Sequence, residues 1–558
     1  MVPADVLRES ERNRLLRRTD WRFLLPNPRP ARTICFGSER VAMAMSLVSE
    51  HVLTTRHGHA ADSASYDLAV AINPDAATLA AAWAALRPGG ACYTEWYVPT
   101  VGGLHTVRRR LQAAGFNDVA CYWPWPWPTM SPASFWLPLD GTAAVRYFLG
   151  AQPRAQAPAR RLLHAARRLV WRTSLRLGFM APVCATAHKA APPPAISGTS
   201  SRAGARCAAR VAETSDPGLA LLDTIRLDWE SWGLGAAPDH LSWLLLTGGQ
   251  RSVSKAVGLV FAEPEPRPRL AVKMARTPEA SEGLAREAAT LGGLETLGPG
   301  RVTGVPRVLF HDERQGLAAV VQTALTGSYL FECLQPETYR DLALKATAWL
   351  ERLAGRPVPA PASAWWNRLI EPVLTEFSTS FGSVADAGLL RETRSILATL
   401  GHLPLVYEQR DFSPWNVLVA NGTTELVVLD WEGAVSHGLP ALDLVYFLSY
   451  LAFFYDGCMA PGGGVDVARC RSSYRTMLTP SSVTGRILAE CQEGYAWHIG
   501  LDPAALRPLR VLTWLVHSRS EYRRVVADTG GTPSSELLRE SLFLGLWQDE
   551  LRHGGRSA

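Results

Sequence analysis

One stretch decides the fold of this chain, residues 406–446, VYEQRDFSPWNVLVANGTTELVVLDWEGAVSHGLPALDLVY. Asp411 is followed five residues later by Asn416, which opens an apolar segment, VLV. The turn Asn421-Gly422 leads to a second apolar segment, LVVL, which ends on Asp430. An Asn-Gly pair between two apolar runs indicates a β-hairpin. Because the neighbouring ends of antiparallel strands lie side by side, we expect Asn416 and Asp430 to lie close together.

The chemistry of these side chains indicates phosphoryl transfer. An amide oxygen and a carboxylate suit Mg²⁺, which prefers hard oxygen ligands and substrate phosphates. Asp411, one loop turn away, is placed to orient an attacking hydroxyl or to accept its proton. Each residue alone is an ordinary turn former, and a single D-x-x-x-x-N is weak evidence. Together with the hairpin and the G-x-P-x-x-D at 438–443, they predict a phosphotransfer site.

These motifs resemble the aminoglycoside phosphotransferase and choline kinase family, a branch of the kinase-like fold. The family signature is H-x-D-x-x-x-x-N, an apolar hairpin, D-x-E/D and then G-x-P-x-x-D-L. The counterparts in this chain are QRD at 409–411 with Asn416, DWE at 430–432 and GLPALDL at 438–444.

The resemblance implies a role for each matching residue. Asp411 would be the catalytic base, Asn416 and Asp430 the magnesium ligands, and Asp443 a structural carboxylate. Gln409 stands where the family usually has His, a residue that buttresses the loop in the family. Glutamine can still donate and accept hydrogen bonds, so the reaction type implied stays the same.

The segment upstream is expected to hold the nucleotide. Residues 244–258, LLLTGGQRSVSKAVG, read as strand, tight turn and strand, with Gly248 and Gly249 in the turn and Ser252 in the same loop. Backbone amides of such a turn can cover phosphates, although a Gly-Gly pair is also common in simple hairpins. We place Gly248, Gly249 and Ser252 in the predicted ATP site.

Lys273 lies at the centre of the predicted strand 270–274, LAVKM, and is one of only four lysines. A lysine inside a buried strand needs a partner, and phosphate is the natural one. Helical spacing puts Glu287 beside the apolar face of the predicted helix Glu282–Leu294. Glu287 is therefore the expected partner of Lys273, with Glu282 as the alternative. The family resemblance agrees with the A-V-K strand and the R-E-A helix.

Residues 320–327, VVQTALTG, resemble the family's hinge, whose backbone would hydrogen-bond adenine. We therefore add Gln322 and Ala324 to the predicted ATP-binding residues. The motif matches span about residues 240–450.

The composition is that of an ordinary globular protein of several domains, with 558 residues, 47% hydrophobic and 19% charged. A Pro/Ser/Gly-rich stretch at 190–204 reads as a linker. We predict a methyltransferase-like α/β domain over 1–150 and a basic helix and linker over 151–215. A kinase-like N-lobe over 216–326 and a helical C-lobe over 327–558 would follow.

Strand and helix patterns alternate before the linker, which indicates a doubly wound, mainly parallel sheet with an antiparallel edge. The predicted elements are strands at 32–36, 52–54, 66–72, 91–97, 119–123 and 134–139 and helices at 39–49, 75–86 and 104–114. The turn LRPGG at 86–90 and the AGF at 114–116 resemble class I S-adenosylmethionine (SAM)-dependent methyltransferases. The predicted fold is thus this α/β domain joined to an α+β bilobal protein-kinase-like domain.

The cofactor motif of that family is incomplete here. The loop after the first strand, CFGSER at 35–40, has a single glycine, and no carboxylate follows the second strand until Asp62. A backbone without further glycines cannot approach a ligand as closely. These features weigh against SAM binding and favour an interaction or structural module.

Charge is unevenly distributed along the chain. Residues 141–212 contain twelve Lys or Arg and no Asp or Glu, within a net charge of +6. A basic helix predicted at 156–179 is either a solvated face or a surface for peripheral contact with an anionic membrane. No nucleic-acid-binding module accompanies it.

The scattered cysteines read as reduced, buried thiols, and the longest apolar run, 444–455, is too short to span a bilayer. A cytoplasmic location is therefore expected, with peripheral membrane association if the basic helix binds lipid.

The predicted function is ATP- and Mg²⁺-dependent phosphoryl transfer to a small hydroxyl- or amine-bearing acceptor, such as a sugar, an aminoglycoside-like compound or an amino alcohol. One alternative is a pseudokinase that binds nucleotide without turnover. Another is a SAM-dependent methyltransferase with an accessory kinase-like domain. A protein kinase is disfavoured because no Asp-Phe-Gly or Ala-Pro-Glu segment follows Asp430.

Overall fold

The computed structural model describes residues 9–55, 64–97, 103–129, 131–150, 183–190, 221–249, 254–297, 302–314, 316–421, 423–460 and 464–555. The basic helix predicted at 156–179 lies outside the described residues, as do Asp62 and Ser252. Two compact units make up the fold. The first includes Glu11–Ser281 and Asp312–Ala324, and the second includes Glu282–His311 and Leu325–Ala558.

The first unit is built on a mixed sheet of twelve of the described strands. These strands are β1 (Arg32–Phe36), β2 (His51–Thr55), β3 (Tyr66–Ile72), β4 (Leu86–Trp96), β5 (Asn117–Trp125), β6 (Phe135–Pro138), β7 (Val183–His188), β8 (Leu241–Leu246), β9 (Ala256–Ala262), β10 (Pro268–Met274), β11 (Val308–Arg314) and β12 (Leu317–Thr323). Their order across the sheet is β11-β12-β10-β9-β8-β6-β5-β7-β4-β3-β1-β2. The strands β1 to β4 pair in parallel, and the pairs from β4 through to β12 are antiparallel.

Helices cover both faces of the parallel part of this sheet. The helices of the first unit are α1 (Glu9–Arg18), a 3-10 helix (Asp20–Leu24), α2 (Glu39–Met45), α3 (Ala76–Ala85), α4 (Gly103–Ala113), α5 (Thr142–Gly150) and α6 (Leu221–Asp228). Cys92 of β4 packs in one core with Leu79 of α3 and Val107 of α4. The next residue, Tyr93, stacks on Trp21 with ring centroids 3.7 Å apart. Since successive strand side chains point to opposite faces, Trp21 lies on the face away from α3 and α4.

Most strands predicted in this unit occur at or near the expected residues, and β1 and β3 have the predicted bounds. The prediction of a turn at 87–90 was wrong, because β4 already begins at Leu86, which pairs with Tyr66. The register shifts before Ala91 pairs with Leu68, and Gly89 has a φ of +77°. A glycine in this conformation lets a strand bulge instead of ending.

The segment predicted as basic helix and linker contains a strand, β7, that the sequence reading missed. This strand lies between β4 and β5 and pairs with both of them. Its sequence, VCATAH, is a short run of small residues with little β-branching, so its strand signal is weak.

The sheet is continuous from the predicted methyltransferase-like strands into the predicted N-lobe strands. Phe135 and Trp136 of β6 pair with Leu246 and Leu245 of β8. The domain boundaries expected at residues 150 and 215 stay predictions, and one sheet extends on both sides of them.

The second unit is mainly helical. Its helices are most of α7 (Pro278–Glu295), α8 (Tyr339–Ala354), α9 (Ala362–Trp365), α10 (Glu371–Phe381), α11 (Ala387–Leu397), α12 (Leu442–Tyr455), α13 (Val467–Met477), α14 (Val483–Ile499), α15 (Leu506–Thr529), α16 (Ser535–Arg539) and α17 (Leu542–His553). A π-helical turn follows α9 at Trp366–Ile370, and 3-10 turns lie at Leu330–Glu332 and Pro503–Ala505. The short strands are β13 (Gly327–Tyr329), β14 (Pro359–Ala360), β15 (Leu403–Pro404), β16 (Val406–Glu408), β17 (Val417–Ala420), β18 (Leu426–Val428) and β19 (Val435–Gly438).

The core of this unit surrounds α12. Every residue of that helix from Leu442 to Phe453 is buried, which accounts for the apolar run seen in the sequence. None of the helices in the described part of the chain combines the length and apolar character needed to cross a bilayer.

Candidate active site

The predicted hairpin forms the frame of the site. The strands β17 and β18 pair antiparallel, with Val417 opposite Val428. Just beyond this pair, the Leu429 N–H donates to the Asn416 carbonyl at 2.9 Å. The start of the first arm and the end of the second therefore lie side by side, which brings Asn416 next to the residue that precedes Asp430.

Asn416 is bonded directly to Asp411. Its side-chain Nδ2 donates to Asp411 Oδ2 at 2.7 Å and to the Asp411 carbonyl at 3.0 Å. Asp411 is exposed, and Asn416 is half-buried. Because Nδ2 faces Asp411, the amide oxygen of Asn416 faces away from that carboxylate and can serve as a ligand.

Gln409 links the loop that carries Asp411 to the end of the hairpin. This side chain is completely buried, and its Oε1 accepts from the Asp411 N–H at 2.8 Å. Its Nε2 donates to the carbonyls of Leu429 and Asp430, at 3.1 and 2.6 Å. One amide thus holds the backbone of Asp411 and that of Asp430 together, using a donor and an acceptor at once.

Asp443 also holds the loop that carries Asp411. Its two carboxylate oxygens accept from the N–H groups of Gln409 and Arg410, at 2.6 and 2.8 Å. Arg410 has a φ of +71°, a conformation that costs energy for any residue with a side chain. These hydrogen bonds stabilise that strained backbone next to Asp411. Burial, and then the negative charge of Glu408, raise the pKa of Asp443.

Asp430 itself has a φ of +61° and is half-buried. The N–H of the next residue, Trp431, is 3.5 Å from Glu287 Oε1 on α7. Glu287 is completely buried, whereas the side chain of the alternative, Glu282, is 81% exposed and paired with Arg286. The helix α7 therefore supports the end of the hairpin through Glu287.

The remaining predicted residues lie in the first unit. Lys273 is buried at 9% exposure, opposite Val257 of β9 and Val320 of β12. Gly249 lies in the loop between β8 and β9, and its carbonyl accepts from Arg276 at 3.1 Å. An added Cβ at Gly248 would meet nothing within 4 Å, so that side of the turn is open.

The hinge residues are engaged in the sheet. Gln322 is buried, at 2% exposure. The Ala324 N–H donates to the Arg269 carbonyl at 3.0 Å, so this N–H is used within the sheet. The predicted pairing of Lys273 with Glu287 stays a prediction.

The donor set at the hairpin end fits a magnesium ion. An amide oxygen and a carboxylate are hard ligands. Gln409 holds the backbone of Asp430, and Asp411 holds the side chain of Asn416. No group of three or more His, Cys, Asp or Glu suited to a metal occurs among the described residues. An ion held by Asn416 and Asp430 would take its other ligands from phosphate and water.

A separate cavity of about 160 Å³ lies in the first unit, at the carboxyl ends of β1, β3 and β4. Its described lining includes Ser38, Tyr97 and three arginines, Arg14, Arg18 and Arg40, and no carboxylate is among these described residues. Ligands of doubly wound sheets bind at this end of the strands, at the point where the strand order reverses. The cavity is therefore in the place where the methyltransferase resemblance predicts a cofactor.

Comparison with known proteins finds one family model that matches part of the chain. A model described as APH, phosphotransferase enzyme family, matches residues 259–477. This range contains Lys273, Glu287, Gln322 and the catalytic loop and hairpin, but not Gly248 and Gly249. No curated protein matches the sequence significantly.

Three solved structures illustrate the likeness. The aminoglycoside-3'-phosphotransferase of type VIII is 20% identical, with 51% of this chain and 98% of that chain covered and a TM-score of 0.32. A thermostable mutant of APH(4)-Ia is 13% identical, covering 57% and 96%, with a TM-score of 0.36. APH(3'')-Id from Streptomyces rimosus ATCC10970, in complex with ADP and streptomycin, is 13% identical, covering 52% and 97%, with a TM-score of 0.30. From the family match, residues 259–477 are similar to the phosphotransferase enzyme family, and the protein is a phosphotransferase.

Proposed function

We propose that the protein transfers the γ-phosphoryl group of ATP, with Mg²⁺, to a hydroxyl or amine of a small acceptor. The acceptor class is a sugar, an aminoglycoside-like compound or an amino alcohol. One observation carries the proposal: Gln409 ties the backbone of Asp411 to that of Asp430, while Asn416 is bonded to Asp411 itself. Three groups that phosphoryl transfer requires are thereby held in a small, fixed arrangement.

In the proposed reaction, the acceptor oxygen or nitrogen attacks the γ-phosphorus, the bond to the β-phosphate oxygen breaks, and ADP leaves. Asp411 accepts a hydrogen bond from the attacking group, orients it and takes up its proton. Lys273 binds phosphate oxygens through its ammonium group. Asn416 and Asp430 would hold the metal ion, which would neutralise phosphate charge when bound.

The test is transfer of label from γ-labelled ATP to components of a metabolite extract. Wild type, Asp411→Asn and the control Asp386→Asn are compared. Asp386 caps α11 through the N–H groups of Gly388 and Leu389 and takes no part in the proposed reaction. We expect wild type and Asp386→Asn to transfer label, and Asp411→Asn to transfer about 10³-fold less.

Equal transfer by wild type and Asp411→Asn would contradict the role of Asp411. ATP binding by all three proteins without transfer by any of them would indicate a pseudokinase.

For the N-terminal strands, we propose a methyltransferase-like fold that does not bind SAM. The LRPGG segment opens β4, and the AGF segment leads directly into β5, which is antiparallel to β7. Among its described lining residues, the arginine-rich cavity has no carboxylate for ribose hydroxyls, and its arginines disfavour the positive sulfonium group. Titration calorimetry with SAM should give no saturable heat, and a saturable isotherm would overturn the proposal.

A further inference from the structure

The glycine turn before β9 is held by Arg276, a residue that the sequence reading did not single out. The Arg276 side chain is completely buried, two residues beyond the end of β10. Its guanidinium donates to the carbonyls of Thr247 and Gly249, at 3.3 and 3.1 Å. A trans peptide points its C=O and N–H in opposite directions. Fixing the Thr247 carbonyl toward Arg276 therefore points the Gly248 N–H away from Arg276.

The N-terminal segment supplies the counter-ion of Arg276. Asp20, at the start of the 3-10 helix, accepts from Arg276 Nε at 2.9 Å, and its other oxygen lies 2.9 Å from Arg276 Nη2. Both side chains are fully buried. The first contact is a hydrogen bond between charged groups, and the second is a close charge contact. Arg22 donates to the Arg276 carbonyl at 2.5 Å, so the same short helix holds the Arg276 backbone.

Thr247, at the start of the turn, has two more anchors from the N-terminal part of the chain. Its N–H donates to the Ser134 carbonyl at 2.7 Å, and its hydroxyl donates to the Ala133 carbonyl at 2.8 Å. The side chain of Thr247 is completely buried. Of the groups that hold this turn, only Arg276 lies within the residues matched by the phosphotransferase family model.

We propose that Asp20 is a positioning residue for nucleotide binding, acting through Arg276 on the Thr247–Gly249 turn. This inference rests on the proposed function and on the prediction from sequence that the amides of the turn cover ATP phosphates. Without the Asp20 carboxylate, Arg276 and Arg22 would be two buried cations with their nearest counter-charge removed. Arg276 would then leave its place or draw in water, and the carbonyls it fixes would be released.

The control for this inference is another buried ion pair in the same unit. Glu95 is fully buried and accepts from Arg18 in a two-point pair, with both distances 2.6 Å. Its other hydrogen-bond partners among the described residues are the hydroxyl groups of Tyr93 and Tyr97. Asp20→Asn and Glu95→Gln each remove one buried carboxylate charge, so a general loss of stability would affect both variants, whereas loss of the turn would affect only the first.

The experiment titrates the full chain with AMP-PNP and Mg²⁺ and records the melting temperature of each variant. We expect Asp20→Asn to raise the Kd about tenfold, and Glu95→Gln to leave it within about twofold of wild type. Equal Kd values for the two variants would overturn the inference. Failure of wild type to bind AMP-PNP would instead overturn the proposed function.

A second variant covers the case in which Asp20→Asn does not fold. Arg276→Lys keeps the charge beside Asp20 but loses the planar fork that reaches Asp20 and both carbonyls at once. It should raise the Kd for AMP-PNP by about tenfold, with a smaller change in melting temperature than Asp20→Asn. Binding within about twofold of wild type would contradict the role of Arg276.

Discussion

Gln409 shows how a single side chain can replace the family's usual histidine. The resemblance expects a histidine that buttresses the loop, and the glutamine bonds the Asp411 N–H and the carbonyls of Leu429 and Asp430. A neutral imidazole also offers one donor and one acceptor, so both residues can link the two backbones. The replacement therefore preserves the geometry on which Asp411 and Asp430 depend.

Replacing Gln409 by Ala should lower kcat by about tenfold to 100-fold, because it leaves a buried N–H and two carbonyls without their partner. Gln409→His should keep kcat within about tenfold of wild type, since it retains a donor and an acceptor. Steady-state kinetics with an acceptor found in the labelling experiment would check both values. Equal kcat values for wild type and Gln409→Ala would show that the bridge has no effect on the reaction.

The residues of the hairpin site could be predicted from sequence because they lie within 20 positions of one another. Spacing alone places Asp411, Asn416 and Asp430 on one loop and one hairpin, and the structure has them there. Asp20 and Arg276 are 256 positions apart and carry no shared motif. Their contact depends on the tertiary fold, which the local sequence around either residue does not indicate.

At the scale of elements, the hairpin depends on a neighbouring backbone segment. Gly304 lies beside β18, and its carbonyl accepts from the Val428 N–H at 2.8 Å. Its φ is +74°, and an added Cβ would lie 1.9 Å from the Leu426 carbonyl oxygen. Both the conformation and the close approach require glycine at this position.

Gly304→Ala should therefore lower the free energy of unfolding by at least about 2 kcal/mol, through backbone strain and displacement of β18. The matched control is Gly292→Ala on the exposed face of α7, where an added Cβ meets nothing within 4 Å. That variant should gain about 0.5–1 kcal/mol from helix propensity. Urea denaturation of both variants checks the difference, and similar values for the two would contradict it.

Elements with strong local patterns could be predicted, and those set by distant pairing could not. The buried strands β1 and β3 are runs of apolar residues of normal strand length, and their bounds match the sequence reading. β7 has a weak pattern of its own and is a strand because β4 and β5 lie on either side of it. The LRPGG segment has a turn composition, but pairing of Leu86 with Tyr66 extends the strand through it.

At the scale of the whole molecule, a half-buried histidine packed among aromatic rings links stability to pH. His517 of α15 stacks on Tyr446 with ring centroids 3.8 Å apart and lies 5.4 Å from Phe543. Burial lowers the pKa of His517 to about 3, so the folded protein keeps this ring neutral. The unfolded chain binds a proton near pH 6.5, which favours unfolding below that pH.

The stability contributed by neutral His517 is complete above about pH 6.5 and is lost as the pH falls toward 3. Relative to His517→Phe, wild type should lose about 1.4 kcal/mol per pH unit below pH 6. Denaturation curves from pH 7.5 to 4.5 for the two proteins would check the slope. Parallel pH profiles would show that His517 is not the group responsible.

The pairing of β6 with β8 has a consequence for any attempt to isolate the kinase-like part. A chain that starts at residue 221 would lack β6 and present β8 as an uncovered edge strand beside its buried residues Trp243, Leu244 and Leu245. Uncovered edges with apolar side chains recruit other strands, so we expect this fragment to self-associate, and sedimentation velocity would reveal it. Leu245→Lys in the same fragment should reduce the association, and a monomeric unsubstituted fragment would contradict the expectation. The N-terminal strands would then act as a built-in solubility partner for the catalytic part.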